Sequence, residues 1–381
     1  MSLKLGRRGL IPPFIVMDVM REANRLDASG AHILHLEVGQ PSTGAPSKVI
    51  EAAERLLRGS PLGYTDALGI APLRARIAEH YARTYRLSVD PGRVAVTVGA
   101  SGAFLLAFLA SFDTGDRVAL AAPGYPAYRH ILTALGIEPI ELPAGPEDRF
   151  QPSIRLLERA PGRIDGLIVA SPSNPTGTML GPAELAELEG YCRERGIRLV
   201  SDEIYHGITY AGPAATLAGA EDTIVINSFS KYFSMTGWRL GWMILPADLV
   251  RPVECLAQNL TISAPSLAQR AALEAFDCGA ELEANVQRYA LNRALLLDRL
   301  PEAGFTEFAP ADGAFYLYAD VGALTNDSLE FCRRMLRETG VAAAPGIDFD
   351  AGRGHRFVRF SFAGATEDMA LAAERLRAWR R

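Results

Sequence analysis

Six polar side chains lie close together in the middle of this chain: Asp202 and Tyr205, then Ser228, Ser230 and Lys231, then Arg239. An acid, a phenol, two hydroxyls, an amine and a guanidinium at these positions suit chemistry in which an amine meets a carbonyl while a nearby anion is held. Lys231 draws notice for a further reason: only Lys4, Lys48 and Lys231 among the 39 basic residues are lysine. Guanidinium stays protonated and forms no imine with an aldehyde, so a lysine kept against an arginine background marks a position that needs an amine. Lys4, near the chain start, and Lys48, opening an amphipathic helix, read as surface charges.

These residues need a frame that brings them to one edge. From residue 90 to 245, short β-branched runs alternate with helical stretches, the pattern of a mostly parallel sheet covered by helices. The expected strands are 94–98, 118–121, 166–170, 197–201, 223–227 and 240–245. Helices are expected over 102–111 and 183–195 between them, over 47–57 and 73–85 before them, and from 266 to 300 with an interruption at Gly279. Strands at 314–318 and 357–362 and a last helix from Thr366 follow. In such sheets ligands bind beyond the carboxyl ends of the strands. Those ends here carry Gly99-Ala100-Ser101-Gly102 opening a helix, where backbone N–H groups can meet an anion. They also carry Pro123-Gly124-Tyr125-Pro126, the rigid turn Ser171-Pro-Ser-Asn174-Pro175-Thr-Gly177, and the six residues already named. Turn chemistry, a helix cap or a surface charge explains each alone; none explains the coincidence of all of them. A ligand matching the set has a phosphate, a flat ring to stack on Tyr125, a ring nitrogen for Asp202 and an aldehyde for Lys231, and pyridoxal phosphate has all four.

The motifs Ser171 to Gly177, Ser201-Asp-Glu-Ile-Tyr205 and Ser228-Phe-Ser-Lys-Tyr-Phe-Ser-Met-Thr-Gly-Trp-Arg-Leu-Gly-Trp242 resemble those of the class I/II aminotransferases, in the aspartate aminotransferase superfamily. The resemblance runs from Glu37-Val-Gly-Gln-Pro41 to Arg359-Phe-Ser-Phe362. It implies the α/β fold type I of pyridoxal phosphate enzymes: an arm and part of a small domain over residues 1–45, a large cofactor domain over 46–285, and the rest of a small α+β domain over 286–381. It also implies a homodimer. By position, Lys231 matches the Schiff-base lysine, Asp202 the partner of the ring nitrogen, and Tyr205 and Asn174 the donors to the ring oxygen. Tyr125 matches the stacking aromatic. Ala100, Ser101, Gly102, Ser228, Ser230 and Arg239 fall on the phosphate cup, and Tyr64 matches the tyrosine that reaches the neighbouring subunit's phosphate. Arg359, helped by Gly39, matches the group that holds the substrate carboxylate, and Asn174 also faces it.

The implied activity is a ping-pong transfer of an amino group from an L-amino acid to a 2-oxo acid, with catalysis by Lys231, Asp202 and Tyr205. A carbon–sulfur β-lyase or aminocyclopropane-carboxylate synthase reaction uses the same cofactor cup and stays open, as does a non-catalytic regulatory role. His206 and Gln40 are candidates for the side-chain pocket. The six histidines show no metal-ligand spacing, so no metal is expected. A net charge of −5 without a basic block argues against nucleic acid. Cys192, Cys255, Cys278 and Cys332 form no C-x-x-C and read as reduced, and no apolar run reaches the ~20 residues that span a bilayer. A soluble cytoplasmic protein is the expectation.

Overall fold

The computed structural model describes residues 3–379. The chain opens with α1 (Ile15–Ala28), β1 (Leu34–His35), α2 (Ser47–Gly59) and α3 (Ala71–Tyr85). The alternating block that follows contains β2 (Val94–Thr97), α4 (Gly99–Ser111), β3 (Arg117–Ala122), α5 (Pro126–Leu135), β4 (Glu138–Pro143), α6 (Ile154–Arg159) and β5 (Gly166–Ala170). It continues with α7 (Pro182–Arg195), β6 (Arg198–Asp202), β7 (Ile224–Ser228) and β8 (Gly241–Ile244). These strands build one seven-stranded sheet in the order β2-β8-β7-β6-β5-β3-β4. Only β8 runs against its neighbours, pairing antiparallel with both β2 and β7. Hydrophobic clusters cover both faces of this sheet, and the strands, lacking a wet face, read as near-continuous apolar runs such as Leu167-Ile168-Val169.

After β8 come α8 (Ala247–Leu260), α9 (Ser266–Ala271) and α10 (Gly279–Arg299), then β9 (Glu307–Phe308), β10 (Tyr316–Asp320) and α11 (Ser328–Thr339). The short strands β11 (Val341–Ala342) and β12 (Ala344–Pro345), then β13 (Phe357–Ser361) and α12 (Thr366–Ala378), complete the chain. A four-stranded antiparallel sheet β12-β13-β10-β9 forms here, and β11 pairs in parallel with β1 from the other end of the chain. Leu34 and Leu36 accordingly belong to the same buried cluster as Phe360 and Leu376.

Most expected elements form within a few residues, and the departures have physical causes. The helix expected from Gly102 begins at Gly99, so the glycine-rich run is its first turn. The interruption expected at Gly279 is instead a 3-10 segment over Ala272–Asp277, with α10 starting at Gly279. The strand expected at 314–318 is displaced to Tyr316–Asp320, because Ala314 takes a left-handed φ of 56° that no strand accommodates. Strand β4 escapes the sequence reading since Pro139 and Pro143 break a strand pattern, and the sheet tolerates them only because β4 is an edge. Helix α1 escapes it because no capping side chain stands at its start, where Phe14 is the N-cap.

Leu167, in mid-sheet on β5, is fully buried. Truncating Leu167→Ala should cost about 2–5 kcal/mol through lost burial and a residual cavity. A lowered urea midpoint with an unchanged transition slope checks it.

Candidate active site

The carboxyl ends of the parallel strands and the start of α4 open onto a cavity of about 370 Å³. Its wall includes Gly39, Ala100, Ser101, Tyr125, Asn174, Asp202, Tyr205, Ser230, Lys231, Arg239 and Arg359, so eleven of the fourteen expected site residues meet there. Gly102, one turn inside α4, is not in the wall. Nor is Ser228, whose hydroxyl is buried, donates to the Leu240 carbonyl (3.0 Å) and lies 2.8 Å from Ser230 Oγ. Tyr64 lies away from this chain's cavity and is 82% exposed.

At one end of the cavity stands an anion cradle. Helix α4 has no side-chain cap, so its first backbone N–H groups, around Ala100 and Ser101, are available with the positive end of the helix dipole behind them. The Arg239 guanidinium lies against the backbone of Gly99, which has a φ of 67°; a Cβ there would stand 2.6 Å from Arg239 Nη2. Arg239 Nη1 donates to the Thr236 carbonyl at 3.0 Å, which fixes the fork.

Asp202, at the end of β6 and almost fully buried, presents a carboxylate elsewhere in the same wall. Its Oδ1 accepts from the Ile204 N–H (3.0 Å), and its Oδ2 accepts from the Tyr128 hydroxyl. Burial pushes its pKa up to about 6 against these stabilising bonds. Tyr128 is one turn along α5 from Tyr125, and its ring packs edge-on between Phe104 and Tyr125.

Lys231 follows β7 and donates from Nζ to the Gly39 carbonyl at 2.7 Å. Burial, with Arg359 and Arg239 nearby, brings its pKa down to about 8. The Tyr205 and Tyr316 hydroxyls bond each other at 2.7 Å, and burial holds the Tyr205 hydroxyl well above its usual range, keeping it a neutral donor. Gly39 has to be glycine here, since a Cβ would fall on the Tyr316 phenol.

Arg359, on β13, is 2% exposed. Nη1 donates to Asn174 Oδ1 (2.7 Å) and Nη2 to the Glu37 carbonyl, while the guanidinium carbon lies 4.3 Å from the Tyr316 ring centre and 4.7 Å from that of Phe349. Its Nε has no partner among the described residues. A buried guanidinium with donor capacity left over is suited to a carboxylate.

Sequence reasoning missed Tyr128, Tyr316 and the apolar wall of Phe14, Val16, Met17 and Met20. The spacing of three between Phe14, Met17 and Met20, and between Tyr125 and Tyr128, is the signal that could have found them. His206 is not in the wall; its Nε2 donates to the Ser171 carbonyl at 3.0 Å and its Nδ1 accepts from the Tyr85 hydroxyl at 2.8 Å, an assignment that follows from the carbonyl's inability to donate. Gln40 does line the cavity. No cluster of three or more metal-ligating side chains occurs among the described residues.

An anion cradle, a buried carboxylate, a buried amine and a phenol around one cavity fit pyridoxal phosphate, and the uncapped start of α4 could hold its phosphate. The titration of Lys231 is directly testable in cofactor-free protein. Its reaction with trinitrobenzenesulfonate, followed by peptide mapping, should rise with a midpoint near pH 8. A midpoint near the ordinary lysine value, about 10.4, would refute the assignment.

The profile of the family described as aminotransferase class I and II matches residues 31–376. The valine–pyruvate aminotransferase of Mycobacterium tuberculosis is 50% identical over 384 residues, covering 100% of this chain and 99% of that protein. The (5-formylfuran-3-yl)methyl phosphate transaminase of Methanocaldococcus jannaschii is 32% identical, covering 96% of each. The crystal structure of an aminotransferase from Mycobacterium tuberculosis superposes with a TM-score of 0.97 at 49% identity, covering 99% of both chains. Family match and fold agree: this chain belongs to the class I and II aminotransferases, pyridoxal phosphate enzymes that move an amino group from an amino acid to a 2-oxo acid.

Proposed function

We propose that the cavity carries out this transfer with Lys231 as the proton-moving base, Asp202 and Tyr205 tuning the cofactor, and Arg359 receiving the substrate carboxylate. The observation that carries the reading is the meeting of Lys231, Asp202 and Arg359 in one wall although they come from residues 202, 231 and 359. Arg239, Ser230 and the α4 N–H groups at Ala100 and Ser101 would hold the phosphate. Gly102 and Ser228 would act one layer behind, through the helix and through Ser230. Tyr125 would face the ring, and Tyr205 and Asn174 the ring oxygen. With its Oδ1 engaged by Arg359, Asn174 has its amide N–H to offer.

Pyridoxal phosphate, when bound, supplies an aldehyde for the substrate amine and a ring that withdraws electrons from the substrate Cα. The chain's own residues do the rest. Arg359 and the backbone at Gly39 fix the α-carboxylate, which restricts rotation about Cα and presents the Cα–H bond to Lys231. Lys231, with its pKa lowered to about 8, can shed its proton close to neutral pH and then take the proton from Cα. Asp202, ionised above about pH 6 and held at both oxygens, would supply the negative charge that keeps the cofactor's ring nitrogen protonated. Valine and pyruvate, for which the 50% identical relative is named, are the first pair to assay.

We place the domains at residues 1–45 with 286–381 and at 46–285, a division supported by the pairing of β1 with β11 and by the separate buried clusters of the two sheets. We further propose a cytoplasmic homodimer. Support comes from Tyr64, Leu260 and Ile262 all being exposed, and from the Thr65 N–H donating to Ser263 Oγ (3.4 Å), which links the segment carrying Tyr64 to the one carrying Leu260 and Ile262. All four cysteines are free thiols, and no helix among the described residues is long and apolar enough to cross a membrane.

Wild-type protein loaded with cofactor should show an imine absorption band that borohydride fixes onto Lys231 and that an amino acid abolishes with release of its 2-oxo acid. Lys231→Ala should slow this half-reaction by at least 10²-fold, the scale of a lost general base. Release of ammonia without transfer would instead indicate elimination. The dimer is tested by mixing. Inactive Lys231→Ala and weakened Tyr64→Ala proteins should regain activity after subunit exchange, because each hybrid then has one site with both residues intact. No gain on mixing, with exchange confirmed by mass, would place Tyr64 outside the neighbouring site.

A further inference from the structure

Helix α1 is capped by a residue from the opposite end of the chain. The Ile15 and Val16 N–H groups donate to Asp348 Oδ1 (3.2 Å) and Oδ2 (2.9 Å) across more than 330 residues, and Asp348 is 1% exposed. A carboxylate there meets two orphan donors and the positive end of the helix dipole, a task usually given to a local serine, threonine or aspartate. What this cap orients is one wall of the cavity: Phe14, Val16, Met17 and Met20 all line it, and Phe14 packs edge-on against Tyr125 at 5.7 Å between ring centres.

The next residue ties two further walls to the same point. The Phe349 ring lies 4.7 Å from the Arg359 guanidinium, and its carbonyl accepts from the Gly124 N–H (3.0 Å) in the turn that presents Tyr125. Asp348 thus fixes the start of α1, while Phe349 beside it joins the Tyr125 turn to the carboxylate-binding arginine. Phe104 and Ile131 line the same cavity and add to its apolar surface. Among the described residues, the lysines and arginines that reach the cavity wall are Lys231, Arg239 and Arg359, and the proposed function has already engaged all three.

We propose that the α1 face is the specificity wall for an uncharged, apolar amino-acid side chain and that Asp348 is the positioning residue that sets it. This deepens the transamination reading and rests on it. Methionines at 17 and 20 suit the task, since an unbranched thioether side chain adapts to side chains of differing shape. A substrate with no side chain beyond a methyl group would gain little from this wall, whereas a branched one would bury its methyl groups against it.

The test compares holoenzyme and the variants Asp348→Ala, Asp348→Asn and Met20→Ala. Calorimetry gives the dissociation constants of 3-methylbutanoate, a non-reacting carboxylate with the branched end of valine, and of acetate. The half-reaction is measured with L-valine, L-alanine and L-aspartate. Asp348→Ala should weaken 3-methylbutanoate and lower kcat/KM for L-valine by about tenfold, the scale of a lost cap, while acetate and L-alanine change by about twofold or less. Asp348→Asn, which keeps one acceptor, should fall between. Met20→Ala should cause the same loss of selectivity with the cap intact, so the proposal does not depend on the Asp348 variants folding. Equal weakening of both carboxylates in the Asp348 and Met20 variants would overturn it, as would wild-type preference for L-aspartate over L-valine. A wild-type holoenzyme that binds 3-methylbutanoate tightly yet transfers no amino group would sink the transamination reading and leave the wall standing.

Discussion

Arg359 is a cation taken almost completely out of water, and the way its charge is compensated joins parts of the chain that are far apart. One nitrogen donates to the Glu37 carbonyl near the start and another to Asn174 beyond β5, while the guanidinium faces lie over Tyr316 and Phe349 from the C-terminal region. Burying an unpaired guanidinium would be prohibitive, so each partner is needed for the others to be in place. Because the partners belong to the segment after β1, the seven-stranded sheet and the four-stranded sheet, satisfying this one charge draws together the elements that bound the cavity. What remains without a partner among the described residues is the Arg359 Nε.

Electrostatics in the cavity follow from the same exclusion of water. Lys231 and Asp202 are moved in opposite directions by burial, the amine down to about 8 and the carboxyl up to about 6, so both sit nearer neutrality than their free values. Two nearby arginines add to the effect on Lys231. Hydrogen bonds from Tyr128 and from the Ile204 N–H limit the effect on Asp202. The mobile proton proposed for Lys231 and the fixed charge proposed for Asp202 would thus both follow from how deeply each group is set and what touches it.

Much of this was legible in the chain because it is written locally. The strands of the large sheet are short apolar runs punctuated by glycine and proline, and the residues that follow them reach the cavity because a parallel sheet collects the carboxyl ends of its strands on one edge. Lys231, Asp202, Tyr205, Asn174, Arg239 and Arg359 could be named without coordinates, since each lies in a motif whose spacing is intact. The resemblance those motifs carry extended the reading to the whole chain, and the family match bears it out.

Only the folded chain could decide the rest, because the deciding partners are distant in sequence. Tyr128 meets Asp202 from 74 residues away, Tyr316 meets Tyr205 from 111, and the cap of α1 comes from Asp348, 332 residues beyond Val16. No local pattern encodes such pairs, and α1 itself was overlooked because the residue that stabilises its start is not near it. Nor could spacing show that Ser228 turns its hydroxyl inward while Ser230, two residues on, reaches the wall, a difference set by the pairing of β7 with β8 and the Leu240 carbonyl that results. Sequence determined which chemical groups the chain has and which strand ends they follow, since propensity and turn chemistry act over a few residues. Tertiary structure decided which of those groups face the cavity and in what protonation state, since burial and long-range hydrogen bonds exist only once the chain has closed on itself.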